Sequence, residues 1–571
     1  MHVAFLAFAF QLQVAVAARP AQQAQGASAT HAADSTRDLK AARSAQSTFE
    51  FIRRSNLPEG FGGMGRCDVQ LGRYCWWYDE YPIKLPPEPN SIVRRRINLI
   101  ATLDSLGELH PGDDWIAAMR VHYRLDGKDA ALTASADTVA RACRATTWWC
   151  LALVGYADHL LGQAAAAESA FTGALEKMPD DERCKWQDIS VLLPSNTRHY
   201  YEGLSCNARH AVEDRYWILG RPRFSSGGNE WRSEFYVRKL QARLANQSTT
   251  PQAGSWGRDA EELLLRYGWP TGWSKVERMS AVVPEQSVIG HDPSPSFNFA
   301  PNEALYDTSA ASQNDAWDMK VRTAEARFAP RMVKRVAPLA MQIARFRRGD
   351  STLVVAAFKA SDDSLLAAGP GVLGVTLPDG TIRTIEETGT TGTAMLRVDH
   401  SPLLAGVDVT DSTTSTLARS RALMRPLATG TPLSVSDLLL FNAENGAPES
   451  VGAALEKAIP SDTLYRERPI GVYWETYGVA DQGEALDVAV TVERIDRSWL
   501  RGVRQKLKLA DPDSPLRLHW SDARPTEAGE ALSRAISLRL GNLEPGKYRI
   551  TMALSRADQV AATASREVEL R

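Results

Sequence analysis

Apolar positions in this chain change their spacing near residue 330. From about 91 to 245 they recur every three or four residues, which predicts amphipathic helices. The strongest helical stretch is WWCLALVGYADHLLGQAAAAESAFTGALEKMP (148–179), and GNEWRSEFYVRKLQARLA (228–245) predicts another amphipathic helix. A further helix over 256–267 runs into LLLRYGWPTGW, where Gly268 suits the position after a helix and Pro270 blocks its continuation. Residues 280–302 are broken by proline and read as extended. Beyond 330 the period becomes two: STLVVAAFKA, GVLGVTLPDGTIRTI, TAMLRVDH and LAGVDVT predict short strands, with a hairpin turn at Asp379-Gly380. A second strand block follows a loop and short helix at 447–458. In IGVYWETYGV the pattern turns Ile470, Val472, Trp474 and Thr476 to one face and Tyr473, Glu475 and Tyr477 to the other. Near the end it turns Tyr548, Ile550, Met552 and Leu554 inward. The fold class expected is multidomain α + β, with helical hairpins followed by two β-sandwich domains.

The first residues, MHVAFLAFAFQLQVAVAARPAQ, read as a signal peptide over 1–18, with the small-residue run Ala15-Val16-Ala17-Ala18 as cleavage site. Residues 19–48, rich in Ala, Gln, Ser and Thr, read as a disordered leader. Residues 49–90 read as a cysteine- and aromatic-rich loop segment. No later stretch is long and apolar enough for a membrane helix, so the mature chain is expected to be exported: periplasmic, outer-envelope-associated or secreted. Six cysteines fit an oxidising compartment: Cys67, Cys75, Cys143, Cys150, Cys184 and Cys206. Proximity suggests the pairs 67–75, 143–150 and 184–206, among 15 pairings open to six cysteines. On one continuous helix Cys143 and Cys150 would lie about 10 Å apart, so their pairing requires a break, which RATT (144–147) supplies. A zinc site from Cys184, His199, Cys206 and His210 is the weaker alternative, because the spacing lacks a CxxC knuckle.

Charge narrows the function classes. Lys and Arg total 66 against 68 Asp and Glu, which argues against a nucleic-acid binder. The runs Arg94-Arg95-Arg96 and Arg347-Arg348 read as solvated faces. GFGGMG (60–65), GPGVLG (369–374) and GNLEPGK (541–547) match phosphate-loop strings but lack the strand-then-helix context that such loops require. His199, His210, Glu213 and Asp214 read as polar residues on a solvated helix, and His291-Asp292 as a turn. No catalytic residue, cofactor or metal ligand is assigned. Nine of fifteen tryptophans fall in the first half (Trp76, Trp77, Trp148, Trp149, Trp217, Trp231, Trp256, Trp269 and Trp273) and read as core or junction residues.

Two resemblances sharpen this. Leu151, Gly155, Ala167, Phe171, Ala174 and Pro179 fall at spacings similar to a tetratricopeptide repeat, with Phe171 filling the gap between close helices. Asp158 stands where that family usually has tyrosine. Trp256-Gly257-Arg258-Asp259, then Arg266-Tyr267-Gly268 and Pro270, resemble GWxTD-domain proteins, an exported bacterial group; the literal Gly-Trp-x-Thr-Asp string is missing. That resemblance implies an envelope protein with helical repeats and β-sandwiches, and no catalytic residues. The boundaries expected are 91–245 for the tetratricopeptide-like domain, 246–328 for the GWxTD-like helix and RYGxP junction, 329–445 for the first β-sandwich, 446–466 for a linker with a short helix, and 467–571 for the second β-sandwich. Tyr267, Trp269 and Trp273 are expected to cover the seam between the helical and β halves. The function expected is a non-enzymatic scaffold that binds a protein or peptide in the cell envelope through its helical repeats. Alternatives are a glycan- or peptidoglycan-associated binder and an uncharacterised hydrolase.

Overall fold

Helix begins well before residue 91. The computed structural model describes residues 19–59, 69–71, 74–76, 86–127, 129–251, 256–270, 272–279, 284–291, 296–301, 317, 324–360, 369–399, 401–424, 433–478, 486–496, 515–522, 531–556 and 559–571. The expected signal peptide and the GFGGMG string lie outside these residues. Helix α1 spans Arg19–Ser55, so the segment 19–48, expected as a disordered leader, is helical. Alanine and glutamine favour helix locally, and Ala42, Gln46, Phe49 and Glu50 form a buried face at helical spacing. That face packs on α2 (Asn90–Leu109), sharing one core with Ile92, Leu99 and Leu103. The 49–90 loop segment likewise contains the end of α1 and a small hairpin, β1 (Val69–Leu71) with β2 (Tyr74–Trp76).

The array continues through α3 (Asp114–Asp126), α4 (Ala130–Arg141), α5 (Thr147–Leu160) and α6 (Ala164–Lys177), each packed on its neighbour. Asp113 and Asp129 accept hydrogen bonds from Ile116 N and Leu132 N and cap α3 and α4. Between α5 and α6 the helices approach closely: a Cβ on Gly155 would sit 2.9 Å from the Phe171 ring. Ala167, Phe171 and Ala174 are buried, Leu151 is half-buried, and Pro179 precedes α7 (Asp180–Gln187). Next come α8 (Ser195–Glu202) and α9 (Cys206–Leu219).

Helix α10 (Glu230–Gln247) is the helix expected over 228–245, but it is buried on more than one face. Trp231, Phe235, Tyr236, Val237, Arg238, Leu240, Gln241, Ala242 and Leu244 surround its axis and all are buried. It packs on α5, α6 and the next helix and shares their core, and it borders one cleft with α3. Its polar residues can be buried because each finds a partner: Ser233 with His159, Arg238 with Glu234, and Gln241 with the Tyr156 hydroxyl. Helix α11 (Arg258–Tyr267) follows and ends at Gly268, whose φ of +91° only glycine adopts without strain. Within the segment 280–302, read as extended, Pro284–His291 is strand β4, which pairs antiparallel with β3 (Gly272–Met279).

The β half has two units. The first is one seven-stranded sheet in the order β8-β7-β10-β11-β5-β6-β9. Its strands are β5 (Arg335–Arg348), β6 (Ser351–Ala360), β7 (Gly371–Thr376), β8 (Ile382–Glu387), β9 (Thr391–Val398), β10 (Leu404–Asp411) and β11 (Thr416–Leu423). Long β5 pairs parallel with β11 over its first residues and antiparallel with β6 over the rest. The sheet therefore curls until β8 and β9 lie near each other, partly barrel-like rather than the pair of sheets expected, around Leu339, Val354, Phe358, Val375 and Val407. GPGVLG leads into β7 and GNLEPGK into β19 (Gly546–Arg556), so neither opens a helix.

The second unit has two sheets facing each other across Val472, Trp474, Val490, Ile550 and Met552. One sheet joins β12 (Ser434–Val435), β13 (Leu439–Asn442), β15 (Ile470–Tyr477) and β18 (Leu532–Leu538). The other has the order β14-β20-β19-β16-β17, with β14 at Thr463–Leu464, β16 at Leu486–Arg494, β17 at Leu516–Asp522 and β20 at Gln559–Leu570. The expected boundary at 445–446 is displaced, because β12 and β13 hydrogen-bond to β15. The short helix expected at 447–458 is α12 (Val451–Glu456). The alternation read in IGVYWETYGV holds: Val472 and Trp474 enter one core, while Tyr473 enters another with Phe346 and Phe441.

Candidate functional site

The described cysteines pair as proximity suggests. Cys143–Cys150 joins the end of α4 to α5 across the RATT break, with Cα atoms 5.6 Å apart. Cys184–Cys206 joins α7 to α9. That bond occupies both sulfurs of the zinc alternative, and no metal-ligand cluster occurs among the described residues. Cys67 and the side chain of Cys75 lie outside them.

The RYGxP corner is a cap built from α10. Arg238 donates to the carbonyls of Leu265 and Arg266, which the end of α11 leaves without helical partners, and to that of Arg327. A Cβ at Gly268 would lie 3.0 Å from its guanidinium. Arg266 is buried and pairs with Glu262 and Glu325. Arg327 sits over the Tyr267 ring, at the approach to β5. Arg258 and Asp259 are exposed in the first turn. Of the three aromatics expected at the helical–β seam, Tyr267 is placed there. Trp269 instead packs edge-on to His122 of α3, with Trp256 and Trp273 on its other sides, and Pro270 abuts Gly290 of the β3–β4 hairpin. The cause is the positive φ at Gly268, which turns the chain back onto the helices.

Behind Trp269 lies a cleft among α1, α3 and α10, lined by Gln46, Glu50, Met119, His122, Tyr123 and Gln241 and by residues 248–251. Its free volume is about 20 Å³, room for one or two water-sized groups and too small for a sugar or metabolite. Glu50 is 2% exposed. Its Oε1 accepts from the Tyr123 hydroxyl at 2.8 Å, and the Gln46 amide donates to that hydroxyl and to the Thr249 carbonyl. Its Oε2 has no partner. Beside it, Arg53 and Arg96 contact Asp126 and Glu88. Burial pushes Glu50 up to about 7, although Arg53 opposes the shift. Burial acts the same way on Asp126, but Arg53 and Arg96 outweigh it and hold that carboxyl well below the usual range. Burial also pushes His122 down, which keeps it neutral.

A carboxyl whose folded pKa is raised binds a proton that the unfolded chain has released. Its contribution to stability is complete below about pH 4.5 and lost as the pH rises through 7. The shift corresponds to roughly 3 kcal/mol. Urea unfolding from pH 5 to 8 is expected to show this decline in the native protein and a flatter profile in Glu50→Gln. Parallel profiles would place the titration elsewhere.

Of the groups read as solvated, Arg94, Arg95, His199 and Asp214 are exposed, Arg347, Arg348 and His210 half-buried, and Arg96 and Glu213 buried. Arg96 is fully enclosed, and Arg348 pairs with Glu475 across the two β units. Glu213 accepts from Tyr201 and contacts His210. Ser274 Oγ lies 2.6 Å from His291 Nε2, both buried in the β3–β4 hairpin. Trp148, Trp149, Trp217, Trp231 and Trp273 are buried, and Trp256 and Trp269 half-buried. Nothing in the sequence marked Glu50, which stands at the edge of a segment without hydrophobic period, or Tyr123, one of many helix aromatics. In comparisons with known proteins, no family model and no curated protein matches this chain.

Proposed function

We propose that this chain is an exported cell-envelope protein that binds a protein or peptide through its helical unit and performs no reaction of its own. The observation that carries this reading is where exposed apolar surface falls. Of eight large exposed apolar side chains among the described residues, Phe51, Val93, Ile97 and Leu109 lie on the first helix pair, α1–α2. Val93 and Ile97 stand one turn apart on one face of α2. Exposed apolar side chains gathered on one element favour a partner surface. The faces of α5 and α6, part of the hairpin array, are covered by α10. The partner surface in this reading is therefore the first helix pair and the adjoining cleft.

The finer identities belong to the same proposal. The close approach at Gly155 and Phe171 supports a tetratricopeptide-like hairpin. The capped RYG corner supports a GWxTD-like junction, and the facing sheets of the second unit support an immunoglobulin-like sandwich. The disulfides are compatible with an extracytoplasmic location, and no described helix is long and apolar enough to cross a membrane.

The test is recovery of a crosslinked partner from the native host with the full chain and with Ile97→Asp. Loss of the partner in a variant with unchanged melting temperature is expected. Equal recovery would move the binding surface off α2. The hydrolase alternative rests on the Ser274–His291 contact alone, and labelling of Ser274 by a fluorophosphonate would favour it.

A further inference from the structure

We infer that the cleft between α1, α3 and α10 receives a primary ammonium group, the tip of a lysine side chain presented by the bound partner. The inference deepens the partner-binding reading and rests on it for the source of the lysine. The cleft chemistry stands on its own observations.

The first is charge. Glu50, Asp126 and Glu88 face Arg53 and Arg96 across one enclosed cluster. With all three carboxylates ionised, the two guanidiniums leave one negative charge unbalanced. The other ionisable groups in contact, Tyr123 and His122, are neutral. Arg53 and Arg96 sit closest to Asp126 and Glu88, and Glu50 has only the longer 3.6 Å contact of its Oε1 with Arg53, so the surplus falls mainly on Glu50.

The second is an unused acceptor. Glu50 lines the cleft; its Oε1 is engaged by Tyr123, whereas its buried Oε2 has no hydrogen-bond partner. A buried carboxylate oxygen without a donor is costly, so it takes either a proton or a cationic donor.

The third is size and lining. A free volume of about 20 Å³ admits an ammonium, which is water-sized, and excludes a guanidinium or a trimethylated amine. The rings of Tyr123 and Trp269 line it and suit a cation and the methylene stem behind it. Too few His, Cys, Asp or Glu side chains converge there for a metal ion.

The experiment uses the full-length protein at about pH 8.5, where Glu50 is ionised and a lysine ammonium still charged. Nα-acetyl-lysine methylamide is titrated by calorimetry, with the norleucine and Nε-trimethyl-lysine analogues as comparators. The expected result is saturable binding of the lysine compound, at least about ten-fold tighter than either comparator, because a charge-assisted hydrogen bond is lost in both. Affinity should fall as the pH drops through about 7, as Glu50 gains its proton. Glu50→Gln should lose the preference; its fold is checked against the native protein near pH 5, where both carry a neutral side chain. The pH series needs no variant, so a misfolded Glu50→Gln leaves the test intact. Equal binding of lysine and norleucine compounds, no binding of either, or affinity independent of pH would each overturn the inference. Amine binding that persists when Ile97→Asp recovers its partner unchanged would sustain the cleft chemistry and defeat the proposed α2 surface. A free small amine captured in place of any partner would assign the cleft to a soluble ligand and overturn the lysine source.

Discussion

Asp408→Ala is expected to lower the free energy of unfolding by about 3–5 kcal/mol, the usual result of stranding a buried charge. Asp408 on β10 is fully buried. Its Oδ1 lies 2.7 Å from Arg421 Nη1, and its Oδ2 accepts from Phe224 N at 2.5 Å, a residue between α9 and α10. It thus holds the helical unit onto the first β unit. Arg419 and Arg221 are buried at the same seam and feel the same carboxylate. Burial depresses both, and Asp408 counters that depression. Alanine would leave three enclosed guanidiniums facing one another. Asp408→Ala combined with Arg421→Met should recover part of the loss, because an apolar pair replaces a broken ionic one. Equilibrium urea unfolding measures both. A loss under about 1 kcal/mol for the single change would mean that solvent reaches the seam and shields these charges.

Arg238→Met ranks beside it, at about 3–5 kcal/mol. Methionine keeps much of the stem but removes the donors that serve three carbonyls, and strands Glu234 beside His159. Burial alone would push Glu234 up, but Arg238 and His159 hold it down to about 2. That depressed carboxyl stabilises the fold above its unfolded pKa of about 4.5 and loses this contribution as the pH falls towards 2. Without Arg238 the loss would begin at higher pH. Acid unfolding of the variant should therefore shift upward. An unchanged acid midpoint would show that His159 alone sets the state of Glu234.

The two halves were legible in the sequence wherever one side of an element is wet. The switch from helical to alternating period near 330, the RATT break under Cys143 and Cys150, and the inward Tyr548, Ile550, Met552 and Leu554 of β19 all follow from local spacing. Polar residues enclosed by partners far along the chain are the ones misjudged. α10 carries arginines and glutamine that look solvated, yet Arg238 and Gln241 are enclosed because carbonyls and hydroxyls from distant segments meet them. Arg96 and Arg348 were read as surface charge for the same reason, as their partners Asp126 and Glu475 lie far along the chain. The segment 19–48 has the composition of a leader, and only the tertiary face of Ala42, Gln46 and Phe49 reveals its helix. The cleft was invisible because it joins Glu50, Tyr123 and Trp269, residues separated by over seventy positions at each step.

The central claim is that the first helix pair, α1–α2, is the partner surface. The most direct measurement places a photo-crosslinking residue in turn at positions 51, 97 and 465 and irradiates the native host. Tyr465 serves as control because it is equally exposed but lies on the second β unit. The account predicts one shared protein adduct at 51 and 97, and none at 465. Adducts at 465 alone, or the same adduct at all three positions, would contradict it.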